Sequence, residues 1–177
     1  VYPLVRRAAP ESRLFICGPQ PDPAVRALPD HDPSIEVSES IDPADSIARS
    51  ACMIVPLLQS GGTRVAILEA LAREIPIVST SVGVAGLDLR PGEHVLVADT
   101  PSDFADAVTL LLREPELGQR IAAAGRQAAL ERHGWRAAHA AIDAVYERMV
   151  AASARPVGVA PSRRGVVAQP KKLGHAR

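Results

Sequence analysis

The chain has 177 residues and no formal net charge, with 20 basic and 20 acidic side chains and 47% hydrophobic residues, enough for one domain with a sizeable core. Six of the basic residues, Arg155, Arg163, Arg164, Lys171, Lys172 and Arg177, follow Val150 with no acid among them, which leaves 14 basic against 20 acidic residues before that point. An acidic body excludes nucleic acid as an expected partner. No apolar run approaches the roughly 20 residues that span a bilayer, and the start, V-Y-P-L-V-R-R, has no signal-peptide layout, so the expected compartment is the cytoplasm.

In chain order, residues 1–10 read as the last turns of a helix, with Tyr2, Leu4 and Val5 ahead of Arg6-Arg7. Residues 13–17 are a short apolar run stopped by Gly18-Pro19, a strand. Residues 23–28 predict a short helix with Asp22 as N-cap and Pro23 at its first position. A weaker strand follows at 34–37, then a loop and short helix over 42–50. Strands are predicted at 52–58, 76–80 and 95–98, and a helix over 63–73. Arg90-Pro91-Gly92 is a turn, and 81–87 a glycine-bearing loop. Helices follow over 101–113, capped by Thr100 or Ser102, then 116–131 and 135–151, with Trp135 as a packing anchor.

The two cysteines, Cys17 and Cys52, lie in strand-like runs and are expected to be reduced core thiols. The remainder, 152–177, is rich in Pro, Gly, Arg and Ala without periodicity and is expected to be a disordered basic tail beside a body of 1–151. Strands alternating with helices imply an α/β fold with a parallel sheet flanked by helices. Ligands of such sheets bind at the carboxyl ends of strands.

One stretch is at such an end. Residues 52–58 break into Gly61-Gly62, and a helix begins at once with Thr63-Arg64. Glycines let backbone approach a ligand, and the free N–H groups of a helix start point at it, which makes an anion site. Seven residues beyond Gly62, Glu69 stands alone in the apolar run Ile67-Leu68-x-Ala70-Leu71-Ala72. The simpler alternative makes Glu69 a surface residue paired with Arg73 at i,i+4, and Gly61-Gly62 only a tight turn. His94 reads as a residue that starts a strand, and the histidines show no metal-ligand spacing.

Pro56-Leu57-Leu58, Gly61-Gly62-Thr63-Arg64, Ile67-Leu68-Glu69-Ala70-Leu71-Ala72, Pro76-Ile77-Val78-Ser79-Thr80, Gly83-Val84-Ala85-Gly86-Leu87 and Gly92-Glu93-His94-Val95-Leu96-Val97-Ala98-Asp99 follow in order. Together they resemble the C-terminal, donor-binding domain of a bacterial glycosyltransferase of the two-domain GT-B type, family 4 or group 1. The likeness runs from about residue 1 to about residue 150.

The resemblance implies a Rossmann-like sheet and a hexosyltransferase that takes its donor from a nucleotide diphosphate sugar. It implies no further cofactor and no metal. Glu69 would accept hydrogen bonds from the ribose diol, and Gly61, Gly62, Thr63 and Arg64 would hold the diphosphate. Eight positions before Glu69, many members carry a second glutamate that reaches the transferred sugar; here that position is Gly61.

The acceptor is expected to be a sugar, a lipid-linked or a small molecule, and the basic tail allows a peripheral contact with anionic lipid. The family's domain opens with a strand before its first helix, and an N-terminal acceptor domain precedes it. Residues 13–17 and 52–58 are therefore expected to pair directly or to leave unpaired backbone, and the chain alone is expected not to turn over. A non-catalytic Rossmann-like remnant, or a nucleotide-binding or interaction module, is the alternative.

Overall fold

The computed structural model describes residues 1–39, 49–59 and 65–153. Its first helix, α1 (Tyr2–Ala8), is followed by β1 (Leu14–Cys17), two single-turn helices α2 (Pro23–Arg26) and α3 (Leu28–His31), and β2 (Ile35–Ser38). Then come β3 (Met53–Val55), α4 (Val65–Ala72), β4 (Ile77–Ser79), the four-residue α5 (Ser81–Val84) and β5 (Leu96–Val97). Three long helices close the described part: α6 (Pro101–Arg113), α7 (Pro115–His133) and α8 (Trp135–Ser153). Residues 1–139 form one compact unit, and the rest of α8 belongs to a second.

Every strand pair is parallel. β1 pairs with β2, Leu14 opposite Ile35 and Cys17 opposite Ser38. β4 lies between β3 and β5, with Ile54 opposite Val78 and Val78 opposite Leu96. Strand alternation sends side chains to two faces of this second sheet. On one face Met53, Val55, Ile77, Val95 and Val97 pack with Ile67, Ala70 and Leu71 of α4 and Ala129 of α7. On the other, Cys52, Ile54, Val78, Leu96 and Ala98 pack with Val5 of α1 and with Phe104, Val108 and Leu111 of α6. Ile67, Leu71, Ile77, Val78, Leu87 and Val95 are all at most 1% exposed, and each such side chain contributes roughly 1.5–3 kcal/mol by burial.

The sheet is in two pieces, because β1 and β3 do not pair. This is the second of the two outcomes expected at 13–17 and 52–58. α1 reaches both pieces: its Tyr2 hydroxyl donates to the Ser12 carbonyl at 2.9 Å and meets the Ser34 hydroxyl at 2.8 Å, beside β1 and β2. Tyr2, Leu4 and Val5 pack with Ile54 and Val78 of the second sheet. In β1, Leu14 N–H bonds to the Ser34 carbonyl, so by alternation the N–H and C=O groups of Phe15 and Cys17 face away from β2. In β3, Met53 N–H bonds to Pro76, so Ile54 faces away from β4. Among the described residues these groups have no backbone partner.

Helix signals held closely. Asp22 caps α2, its carboxylate accepting from Ala24 N–H, and Thr100, not Ser102, caps α6 by accepting from Asp103 N–H. Strands are shorter than the apolar runs; β3 ends at Val55, although residues 52–58 read as one strand. Four-residue α5 replaces part of what reads as a glycine-bearing loop, and α3 starts at the last residue of the helix expected over 23–28. Trp135 is not a packing anchor: it is 82% exposed, and its ring lies in a T-shaped arrangement with that of His139, centroids 5.8 Å apart. Most of the loop and short helix expected over 42–50, and all but the first residues of the expected tail, lie outside the described residues.

Candidate functional site

α4 is built from good helix formers, V-A-I-L-E-A-L-A. Ile67, Ala70 and Leu71 recur at i, i+3 and i+4 and turn the helix's inner face to the sheet, leaving Glu69 on the outer, exposed side. α7 crosses α4 closely at Gly125, where a Cβ would stand 2.7 Å from both Leu71 Cδ2 and the His94 carbonyl oxygen. Arg126 of α7 also pairs with Glu74, just beyond the end of α4, at 3.0 Å. α4 is thus seated by core contacts and by α7, and neither uses Glu69.

The Glu69 carboxylate makes no hydrogen bond or ion pair to another described residue. The alternative pairing with Arg73 is not formed; the contact between them is backbone, Arg73 N–H to the Glu69 carbonyl at 3.2 Å. Both carboxylate oxygens are therefore open to donors from a ligand. Gly61, Gly62, Thr63 and Arg64, expected at the phosphate end, lie outside the described residues.

The carboxyl ends of β3, β4 and β5 are tied by short side chains that the sequence did not single out. Thr80, directly after β4, donates its hydroxyl to the Leu57 carbonyl at 2.6 Å and accepts from Gly83 N–H at 3.1 Å. The Val55 carbonyl accepts from Thr80 N–H at 3.3 Å and from the Ser79 hydroxyl at 3.3 Å. Gly83 leaves the space this needs: a Cβ there would meet Ser79 Oγ and stand 3.2 Å from the Val55 carbonyl oxygen. Asp99, beyond β5, accepts from Ser81 N–H at 2.8 Å and from its hydroxyl at 2.9 Å, which fixes the start of α5. The available signal was a polar residue directly after β4, Thr80, and one two positions after β5, Asp99, but the partners are 23 and 18 residues away in sequence.

Other polar features do not involve Glu69. His94 is buried, and its Nδ1 accepts from Arg90 N–H at 3.1 Å across the turn that precedes β5. Cys17 and Cys52 are free and half-buried, and burial pushes the Cys52 thiol up to about 11. A groove of about 290 Å³ between α1 and α6, lined by Arg7, Ser102, Asp106 and Thr109 among others, includes no residue of α4. Among the described residues no helix is long and apolar enough to cross a membrane.

Residues 1–114 match the sequence model for glycosyl transferases group 1, and the chain belongs to that family. Among curated proteins it is similar to a phosphatidyl-myo-inositol mannosyltransferase of Mycobacterium leprae (strain TN), 36% identical over 98 residues, 54% of this chain and 26% of that protein. It is also similar to a glycosyltransferase 1 domain-containing protein 1 of Xenopus tropicalis, 25% identical over 132 residues, 71% of this chain and 38% of that protein. The chain therefore spans well under half the length of either relative. Of solved structures it resembles a sucrose-phosphate synthase from Thermosynechococcus elongatus, with a TM-score of 0.68 and 21% identity, over 84% of this chain and 41% of that one. It resembles TarM with a TM-score of 0.67 and 14% identity, over 79% of this chain and 30% of that one. At that identity these two matches establish the fold, a Rossmann-like α/β half of the GT-B type.

Proposed function

We propose that this chain is the donor-binding part of a hexosyltransferase, and that Glu69 holds the ribose of a nucleotide diphosphate sugar. The observation that carries the reading is the open Glu69 carboxylate, on the outer face of a helix that follows the carboxyl end of β3. An ionised carboxylate accepts from both hydroxyls of a diol. The amides of Gly61, Gly62 and Thr63, with Arg64, would hold the diphosphate. Transfer would be driven mainly by donors and cations that stabilise the departing diphosphate as charge builds on it. The acceptor side of the cleft belongs to a second domain, and turnover needs both. One relative is named as a phosphatidyl-myo-inositol mannosyltransferase; that name supports a hexosyl donor and a lipid acceptor.

Calorimetric titration with UDP and with GDP tests the reading. At least one nucleotide should bind, and Glu69→Ala should weaken it about tenfold or more, the worth of a charge-assisted hydrogen bond. No binding by the wild type, or equal affinity in the variant, would sink the assignment of Glu69.

A second reading, a non-catalytic interaction module, draws on α8. Ile142, Val145, Tyr146, Met149 and Val150 are each 45–68% exposed there. Nucleotide binding that depends on Glu69 separates the two readings.

A further inference from the structure

α1 and α6 pack side by side on the face of the second sheet opposite α4. Val5 seats α1 in the core, and at the C-terminal ends of the two helices Arg113 Nη2 donates to the Ala8 carbonyl at 2.9 Å. The groove of about 290 Å³ runs between them. Ser102, Ala105, Asp106 and Thr109 recur on α6 at i, i+3, i+4 and i+7 and form one wall, with Leu4 and Arg7 of α1 on the other.

The fold uses none of the polar side chains in these walls. Thr100, not Ser102, caps α6. Among the described residues Arg7 and Asp106 enter no ion pair, with each other or with any other group, and the Ser102 and Thr109 hydroxyls make no hydrogen bond. For Arg7, Ser102 and Asp106, which are exposed, this is ordinary. Thr109 is different, because it is only 7% exposed and a hydroxyl so placed without a bond is costly, where valine would fill the same space. Its Oγ1 is not sealed off as that of Ser12 is, so it reaches the surface, and the surface that Thr109 lines is this groove.

We propose that this groove is a second carbohydrate site, which holds one neutral hexose ring through Arg7, Ser102, Asp106 and Thr109. Its two charges cancel: an anion drawn to Arg7 would be repelled by Asp106, and a cation the reverse. A neutral polyol suits both, since its hydroxyls donate to the carboxylate and accept from the guanidinium, and the Ser102 and Thr109 hydroxyls do either. Leu4 and Ala105 meet the C–H face of the ring. The volume is at the small end of the range for ligand sites, about 300–1,000 Å³, which suits one ring and not a nucleotide. The groove lies across the sheet from α4, so it is distinct from the donor site and does not rest on that reading.

The test titrates the whole nitrogen-15-labelled chain with glucose and with mannose and reads the amide shifts of Ala8, Ala105 and Thr109. L-Alanine, a zwitterion, and inorganic phosphate are the comparison probes. At least one hexose should shift these amides to saturation, with a Kd on the order of 1–10 mM for a ligand of about a dozen heavy atoms. Thr109→Val and Asp106→Ala should each weaken it about fivefold, the worth of one hydrogen bond. T109V should also melt no lower than wild type, because its hydroxyl has no bond to lose. Glu69→Ala should leave the shifts unchanged.

Groove amides that respond to neither hexose would overturn the proposal and leave the donor site standing. So would hexose affinities in T109V and D106A equal to wild type, or a groove that takes L-alanine or phosphate but no hexose. A T109V chain that fails to fold or melts well below wild type would overturn it as well, because the hydroxyl would then already be in use. Groove shifts lost in E69A would assign the hexose to the donor site instead.

Discussion

The crossing of α4 and α7 is a strict test of how the Glu69 helix is seated. Gly125 lies at that crossing, and Gly125→Ala would add one methyl 2.7 Å from Leu71 Cδ2 and 2.7 Å from the His94 carbonyl oxygen. Carbon contacts settle near 3.5–4.0 Å, so something must yield by close to 1 Å. The His94 oxygen is backbone, in a turn already tied by His94 N–H to the Arg90 carbonyl at 2.9 Å, and cannot rotate away. Leu71 is fully buried, so its Cδ2 can move only by displacing packed neighbours. Overpacking of this kind costs about 1–3 kcal/mol, while alanine in a helix interior returns about 1 kcal/mol over glycine. Because one of the two contacts is with backbone, the cost lies at the upper end of that range, and the net expectation is a loss of about 2 kcal/mol, or roughly 4–8 °C in melting temperature for a body of this size. Gly18→Ala is the control, since no atom lies within 4 Å of its Cβ position and its φ is ordinary. Circular dichroism melts and urea titrations of both variants decide the matter. A G125A chain as stable as wild type would refute the close helix crossing, and with it the seat assigned to α4.

Two further outcomes follow from the two halves of the sheet and from Cys52. The backbone N–H groups of Phe15, Cys17 and Ile54, which face away from their ladders, should exchange with deuterium faster than those of Leu14, Ile16, Met53 and Val55, which point into them; equal protection in the two sets would mean that β1 and β3 are paired in solution. The Cys52 thiol is raised by burial from its ordinary 9.0 to about 11 in the native chain. Between those values the unfolded chain has released a proton that the native one still holds. Stability should therefore be whole below about pH 9 and fall toward pH 11, by at most about 3 kcal/mol. Urea unfolding in that range should show the slope in wild type and a flatter one in Cys52→Ala.

Much of the fold was legible because its helices have long periods and unambiguous ends. Phe104, Val108 and Leu111 repeat on one side of α6, and Thr100 caps it. The strands were legible in number and order but not in length. Pro56 and Leu57 continue an apolar run, yet the chain has already left the ladder at Val55, and composition does not register that departure. α3 and α5 span four residues each, too short for any period to show. Trp135 misled because a large aromatic side chain in a helix predicts burial only when a partner face exists. The family's strand order, and not any residue in either strand, left two outcomes for β1 and β3, direct pairing or unpaired backbone, and the structure shows the second.

The site divides along the same line. Glu69 could be found because it interrupts an apolar pattern, and the structure sharpens the reason it matters. Its near neighbour Glu74 spends its carboxylate on Arg126, and Asp99 spends its own on Ser81. Each of those bonds joins two elements, the ordinary structural use of an acid. Glu69 joins nothing among the described residues, although Arg73 stands four residues on, directly after the end of α4. Thr80 could not be found in the same way, because a hydroxyl bonded to a backbone carbonyl leaves no mark on the spacing of residue types. A carboxylate left without a partner is thus visible as a break in pattern, whereas a hydroxyl that ties two strand exits together is visible only in three dimensions.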